Sequence, residues 1–407
     1  MKKTPPFLLL LCALFALLGC QHDAEQIPPR AAATLVYMAA DNNLDYYAML
    51  NIRQMERGLP EGAGPLFVLL TRRAGASPAH PHLIKITRNT ADDSVVRSPI
   101  VHVYRQQNTA DAGFLKKVIA DVKKLSQSSN AELRRLVLWS HGTGWLPEGA
   151  PFNDDDETAK RAAMPPVFSF GLDETGSGNG KEYNREMNIK DLAQALAGNH
   201  FEAIVIDACF MGSVEVVYEL RNYADYFIAS PTEIVAGGFP YEVVTAQLVA
   251  NALNPFSIAQ AFFDHYHALA GALQTAAISV VNTKHLDGLA QAMDNFHADY
   301  VTVRESMQIS DVLQYDRTGS NYFFGFMDFV NSVSKLTGKD YSRLKEIYSK
   351  AVPLYLHTKQ VFGVLDLAGS SGLSIYIPNM NTTREELHSF YQKLSWAKDS
   401  NAARLFD

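Results

Sequence analysis

Two stretches of this chain end in residues suited to chemistry on acyl groups. "LVLWSHGTGW" (136 to 145) runs from an apolar segment into Ser140, His141 and Gly142, and "VIDACFMGS" (205 to 213) runs from another into Asp207, Ala208 and Cys209. A thiolate attacks an acyl carbon, and an imidazole handles the proton that the exchange requires. A thiol is primed beside an imidazolium or at a helix N-terminus, where its pKa falls from about 8.5 to between about 3.5 and 7.5. Cys209 has a candidate for each, with His141 opposite and a helix expected from about Met211. Gly142 has no Cβ, so its N–H can approach an oxyanion, and the N–H of Cys209 is a second donor. Taken singly, these residues also read as a buried cysteine, a satisfied loop histidine and a glycine in a tight turn. Their joint placement, each at the end of an apolar run and before a turn or helix start, favours chemistry.

Side chains alternate along a strand, so Asp207 and Cys209 face the same side if the strand extends that far. A carboxylate beside a thiol raises the thiol's pKa, which works against a nucleophile. Asp207 therefore fits better as the floor of an adjacent pocket, holding a cationic substrate side chain by a charge-assisted hydrogen bond. Capping the following helix is its structural alternative.

For His141 and Cys209 to meet, their strands must be neighbours, and in open α/β sheets function gathers outside the carboxyl ends of the strands. Apolar runs at 33 to 40, 65 to 73, 134 to 145, 201 to 210, 225 to 230 and 276 to 282 read as strands. "HLIKI" and "VHVY" read as a short hairpin. Helical patterns intervene: one capped by Asp41 and running to about Arg57, one over 110 to 126, one capped by Asn188. This alternation predicts an α/β fold whose mainly parallel sheet is covered on both faces. Residues 146 to 187 read as a long loop, and loops of that length are functional or flexible. From about residue 286 helices dominate, followed by the β runs "QVFGVLDL" and "GLSIYIP". With no flexible linker before it, this part reads as a smaller subdomain packed on the first.

At 407 residues, 47% hydrophobic and 19% charged, the chain can bury a large core. A net charge of -7 with no run of Lys and Arg argues against nucleic acid as a partner. The N-terminus, "MKKTPPFLLLLCALFALLGC", has a basic start and an apolar stretch from 7 to 18. That stretch is too short for a spanning helix of about 20 residues and reads as an export signal. Its Leu17-Leu18-Gly19-Cys20 end resembles a bacterial lipobox, which implies cleavage before Cys20 and lipidation of that sulfur. Residues 1 to 19 are then a lipoprotein signal and 20 to 32 a tether. Cleavage removes Lys2 and Lys3, taking the charge from -7 to -9. Cys12 leaves with the signal and Cys20 carries lipid, so Cys209 has no disulfide partner. Outside the cytoplasm an unpaired thiol calls for burial or a use.

"LVLWSHGTGW", "VIDACFMGSVEVVYELRNYADYFIASPTE", "GFPY" and "GLSIYIP" together resemble the clostripain family of cysteine peptidases, in the clan of caspases, legumains and gingipains. The resemblance covers about residues 33 to 380. It implies a caspase-like three-layer α/β/α sandwich, with a catalytic domain over 33 to 285 and a mostly helical subdomain over 286 to 407. It also implies a His141–Cys209 dyad and cleavage of peptides or proteins after Arg or Lys, with Asp207 lining the primary pocket. A second acidic residue often joins that pocket, and Glu233 in "SPTEIVAGGFPY" is the candidate. Self-cleavage between histidine and cysteine activates many members, and Lys160, Arg161, Lys181 and Arg185 lie in the long loop. Some members use calcium, so calcium is admitted as a cofactor without being required. "NDDDE" (153 to 157) lacks the glycine and distal glutamate of a calcium loop and reads as a solvated acidic stretch. Asp41, Asn43 and Asp45 read as a helix cap and first turn, and no residues have zinc-ligand spacing. The whole predicts a lipid-anchored endopeptidase of the bacterial cell envelope, at the outer membrane or cell surface. The rival reading is a non-catalytic lipoprotein that uses the same fold to bind peptides or a protein partner.

Overall fold

The strand expected over 33 to 40 runs from Ala31 to Ala40 (β1) and is buried from Ala32 onward. Successive side chains point to opposite faces of a sheet, and β1 sends Leu35, Tyr37 and Ala39 into one core and Val36, Met38 and Ala40 into another. A strand covered on both faces has to be apolar throughout. Each Val, Leu or Ile so buried contributes about 1.5–3 kcal/mol. These coordinates are a computed structural model, which describes residues 30–73, 75–78, 80–91, 94–105, 107–148, 150, 186–317, 321–378 and 385–406. The export signal, Cys20, most of the tether, "NDDDE" and the four basic residues of the long loop lie outside the described residues.

The other strands are β2 (Leu66–Arg72), β3 (His82–Lys85), β4 (Ile100–Val103), β5 (Ala131–Trp139), β6 (Phe201–Asp207), β7 (Ala224–Ala229), β8 (Ala277–Asn282), β9 (Phe324–Gly325), β10 (Leu354–His357), β11 (Gln360–Val361), β12 (Leu365–Asp366) and β13 (Ser374–Ile375). Among the described residues a nine-stranded sheet has the order β10-β8-β7-β6-β5-β1-β2-β3-β4. The five central strands, β7 to β2 in that order, are parallel. Antiparallel strands extend both edges: β3 and β4 form the expected hairpin, while β8 pairs with β7 and β10 with β8.

The helices are α1 (Asp45–Gly58), α2 (Ala112–Ser128), α3 (Ile189–Leu196), α4 (Val214–Glu219), α5 (Tyr241–Leu248), α6 (Pro255–His267), α7 (Leu286–Val303), α8 (Phe326–Thr337), α9 (Ser342–Ala351), α10 (Glu385–Tyr391) and α11 (Ser395–Asp399). Helices α1, α5 and α6 cover one face through Ile52, Met55, Val244, Leu248, Ile258 and Phe262. Helices α2, α3, α4 and α7 cover the other, which continues into α8 to α11. The result is the caspase-like α/β/α sandwich with a helical C-terminal region. Ala31–Asp407 form one compact unit, and the C-terminal region supplies β10 to the main sheet.

Two element starts differ from expectation, and both differences shape the site. Asp41 does not cap α1, which begins at Asp45 after Leu44. Asn42 Oδ1 instead accepts the Leu44 N–H at 2.9 Å, closing a tight turn directly after β1. Helix α4 starts at Val214, not Met211, with Ser213 Oγ accepting the Val216 N–H. Phe210 has φ +59°, a left-handed conformation that no α-helix continues, so residues 208 to 212 form a loop. A six-residue helix starting five positions after Cys209 does not end on the sulfur.

Candidate active site

Chain order reverses between β1 and β5: from β1 the sheet grows toward β2, and the later strands β5, β6 and β7 add on the opposite side. A crevice at the carboxyl ends of the strands follows from such a reversal. Three neighbouring parallel strands deliver the residues at this edge. Trp139 at the end of β5 pairs with Asp207 at the end of β6. Ser140 then joins the strand ends, its N–H donating to Asp207 O (3.3 Å) and its hydroxyl to Ala39 O of β1 (2.9 Å). His141 follows β5, Cys209 follows β6, and Asn43 follows β1.

Asn43 Oδ1 lies 2.7 Å from His141 Nε2. An amide oxygen only accepts, so Nε2 carries the proton in this arrangement and Nδ1 is the basic nitrogen. His141 is buried at 4% exposure, and this burial pushes its pKa down to about 4. Gly142 packs so closely against the cysteine loop that a Cβ would stand 2.7 Å from Cys209 O. Any other residue there would force the two loops apart.

Cys209 as a residue is partly exposed, yet its sulfur is held among protein atoms. Sγ accepts the Ile234 N–H (3.3 Å) and lies 3.7 Å from Ile234 O. Burial pushes the thiol up to about 12; Glu233 adds to the rise, the Ile234 hydrogen bond opposes it, Asp207 adds and Arg317 opposes. Both shifts favour the neutral forms. Burial thus pushes Cys209 toward the thiol and His141 toward the neutral imidazole.

Asp207 is 4% exposed, and burial raises its pKa to about 6 against the pull of two hydrogen bonds. Both reach Oδ2: the Phe239 N–H (3.0 Å) and the Tyr241 hydroxyl (2.9 Å). Gly238, at φ +64°, leaves room for this carboxylate, because a Cβ there would meet Oδ2 at 2.4 Å. "GFPY" is thus the wall that holds Asp207. Glu233 is engaged inside the chain by a bidentate ion pair with Arg317, at 2.5 and 2.8 Å.

A cavity of about 970 Å³ runs past this edge, lined in part by Asn43, Ile234, Gly238, Phe239, Arg317 and Phe362. Of these, Asn43, Ile234 and Phe239 are hydrogen-bonded to His141, Cys209 and Asp207 in turn. The C-terminal region braces the same loops. Ser374 N–H donates to Gly212 O (3.0 Å), Phe323 stacks on Phe210 at 4.7 Å, and Tyr376 packs on Trp145 at 4.7 Å. Asn43 was read from the sequence as part of a helix turn, and Arg317 belongs to no motif; both were missed as site residues. Among the described residues no group of three His, Cys, Asp or Glu is placed to hold a metal ion.

A thiol, an imidazole and a buried carboxylate on a caspase-like sheet are the equipment of a cysteine peptidase, and that is the class of this enzyme. The family model described as the clostripain family matches residues 36–406, so the chain belongs to the clostripain family. Among solved structures, a secreted C11 cysteine protease from Bacteroides thetaiotaomicron, bound to an irreversible peptide inhibitor, is 29% identical with a TM-score of 0.71. The match covers 92% of this chain and 99% of that one. An inactive zymogen C11 protease from Parabacteroides distasonis is 28% identical with a TM-score of 0.71, over the same shares of the two chains. Comparison with curated proteins finds no match. Among the described residues no helix is long and apolar enough to cross a membrane.

Proposed function

We propose that this peptidase is an endopeptidase that cleaves after Arg or Lys, with Cys209 as nucleophile, His141 as acid–base group and Asp207 as the anion that reads the basic side chain. The observation that carries this reading is the convergence of Asn43, His141 and Cys209 at the ends of three adjacent parallel strands, with Asp207 in the last pair of β6. Because thiol and imidazole rest neutral, proton transfer accompanies attack: Sγ bonds to the carbonyl carbon as His141 Nδ1 takes the thiol proton. The carbonyl electrons move to oxygen, where the N–H groups of Gly142 and Cys209 are the expected donors. Collapse breaks the C–N bond, and the imidazolium returns its proton to the departing amine. Water, deprotonated by the same imidazole, then splits the thioester and restores the thiol. Asn43 holds the ring so that Nδ1 is the nitrogen that takes up and returns the proton at each step.

In the primary pocket both donors occupy Oδ2 of Asp207, so Oδ1 is the oxygen for a substrate guanidinium or ammonium. The Bacteroides relative's capture by an irreversible peptide inhibitor supports a reactive thiol here. The Parabacteroides relative is an inactive zymogen, which supports an activation step; self-cleavage is the route proposed for it here, with Lys160, Arg161, Lys181 and Arg185 as candidates. The lipobox supports export and anchoring through Cys20. The test is turnover of Arg and Lys reporter peptides by the purified protein, before and after limited proteolysis within 146 to 187. No turnover in either state, with Cys209 resisting thiol-reactive peptidyl inhibitors, would remove the proposal.

A further inference from the structure

Arg317 approaches the site from the C-terminal region, about a hundred residues after the cysteine loop. Its guanidinium grips Glu233 with two nitrogens and lies 4.7 Å over the ring of Phe362. Glu233 is 7% exposed and sits in a segment stitched to the cysteine loop on both sides. Before it, Ser230 O accepts the Gly212 N–H (2.7 Å) and Thr232 O accepts the Phe210 N–H (2.9 Å). After it, the Ile234 N–H donates to Cys209 Sγ. A carboxylate buried here without a partner would carry a desolvation cost of several kcal/mol. It would also press the segment to rearrange toward water.

We propose that Arg317 is a positioning and specificity residue of this site: by clamping Glu233 it fixes the Thr232–Ile234 segment against Cys209 and withdraws Glu233 from the primary pocket, leaving Asp207 alone to read the basic side chain. The proposal rests on the reading of Cys209 as nucleophile and Asp207 as pocket anion. Charge supports it as well as geometry. Glu233 and Asp207 both push the thiol toward its protonated form and Arg317 opposes them. A bidentate Arg–carboxylate pair stacked on an aromatic ring is a fixed structure that lysine would not reproduce.

The test compares the parent, Arg317→Gln and Glu233→Gln/Arg317→Gln. For Arg317→Gln the expected result is at least a tenfold loss of kcat on an Arg reporter peptide, with KM changed less than threefold. Its Cys209 alkylation by iodoacetamide should also need a higher pH, because Glu233 is left uncompensated. The double variant, which carries neither charge and no clamp, should keep the loss of kcat, be alkylated at lower pH than Arg317→Gln because Glu233 no longer holds the thiol protonated, and keep the parent's preference for Arg over a neutral residue within threefold. Unchanged kcat and alkylation profile in Arg317→Gln would overturn the positioning role, and loss of the Arg preference in the double variant would overturn the specificity role. If Arg317→Gln fails to fold, the double variant still decides: at least a tenfold loss of kcat with the Arg preference kept supports the proposal, and the parent's kcat or a lost Arg preference overturns it. Alkylation needs no turnover, so a parent that cleaves no basic peptide, which defeats the reading of the site, is told apart from a failure of Arg317.

Discussion

Replacing Asp207 with Asn removes the charge proposed to read the basic side chain while sparing the hydrogen bonds that hold the residue in place. Phe239 N–H and the Tyr241 hydroxyl both donate to Oδ2, and the amide oxygen of Asn can accept both. The amide NH₂ then takes the place of Oδ1, the oxygen proposed for the substrate cation, and presents a donor where an acceptor stood. Truncating one partner of a buried, hydrogen-bonded charge pair costs about 2–5 kcal/mol. That predicts a loss of about 30- to 5,000-fold in kcat/KM for an Arg peptide, at about 1.4 kcal/mol per factor of ten. The assay sets Arg against citrulline at the residue before the scissile bond in an otherwise identical fluorogenic peptide, since citrulline keeps the shape and loses the charge. The parent should prefer Arg strongly, and Asp207→Asn should lose most of that preference with little change in cleavage of citrulline. Equal losses on both peptides, or retained Arg preference in the variant, would refute Asp207 as the reader of the basic side chain.

The pH dependence of kcat/KM on the Arg peptide should show an acid limb near 6, belonging to Asp207, because the carboxylate is anionic only above its raised pKa and the His141 imidazole stays neutral down to about 4. With the citrulline peptide that limb should move toward 4, and an identical limb for both peptides would assign it to another group. Asn43→Ala should lower kcat by about 5- to 160-fold, the equivalent of about 1–3 kcal/mol for a lost buried hydrogen bond. Asn43→Asp should keep the ring in place and raise the histidine pKa, moving upward the acid limb seen with the citrulline peptide; wild-type kinetics in Asn43→Ala would deny it a positioning role.

The sheet was legible because β1, β2 and the later residues of β5 and β6 (136–139 and 203–206) are buried on both faces and so had to be apolar runs bounded by polar turns. His141, Gly142, Asp207 and Cys209 were legible because each lies within two or three residues of a strand end, where sequence position fixes spatial position. The start of α4 was less so: Phe210 adopts a left-handed backbone, and "FMGSVEVV" is apolar enough to suggest an earlier start. Asn43 and Arg317 were invisible for a different reason. Asn43 works across a strand pair from His141, and Arg317 reaches Glu233 over 84 positions in sequence, so no local pattern marks either. Polar contacts of that range are set by the packed fold.

The most direct measurement is covalent capture of the site. The mature protein, intact and after cleavage in the 146 to 187 loop, is incubated with a peptidyl acyloxymethyl ketone carrying Arg, and the adduct is mapped by mass spectrometry beside iodoacetamide as a small neutral alkylator. The expected result is rapid, stoichiometric modification of Cys209 by the Arg reagent, abolished in His141→Ala and greatly slowed in Asp207→Asn. Iodoacetamide at pH 7 should react slowly, since the resting thiol is held protonated up to about 12. Failure of the Arg reagent to modify Cys209, or modification at the same rate in Asp207→Asn as in the parent, would contradict the proposed nucleophile or its pocket.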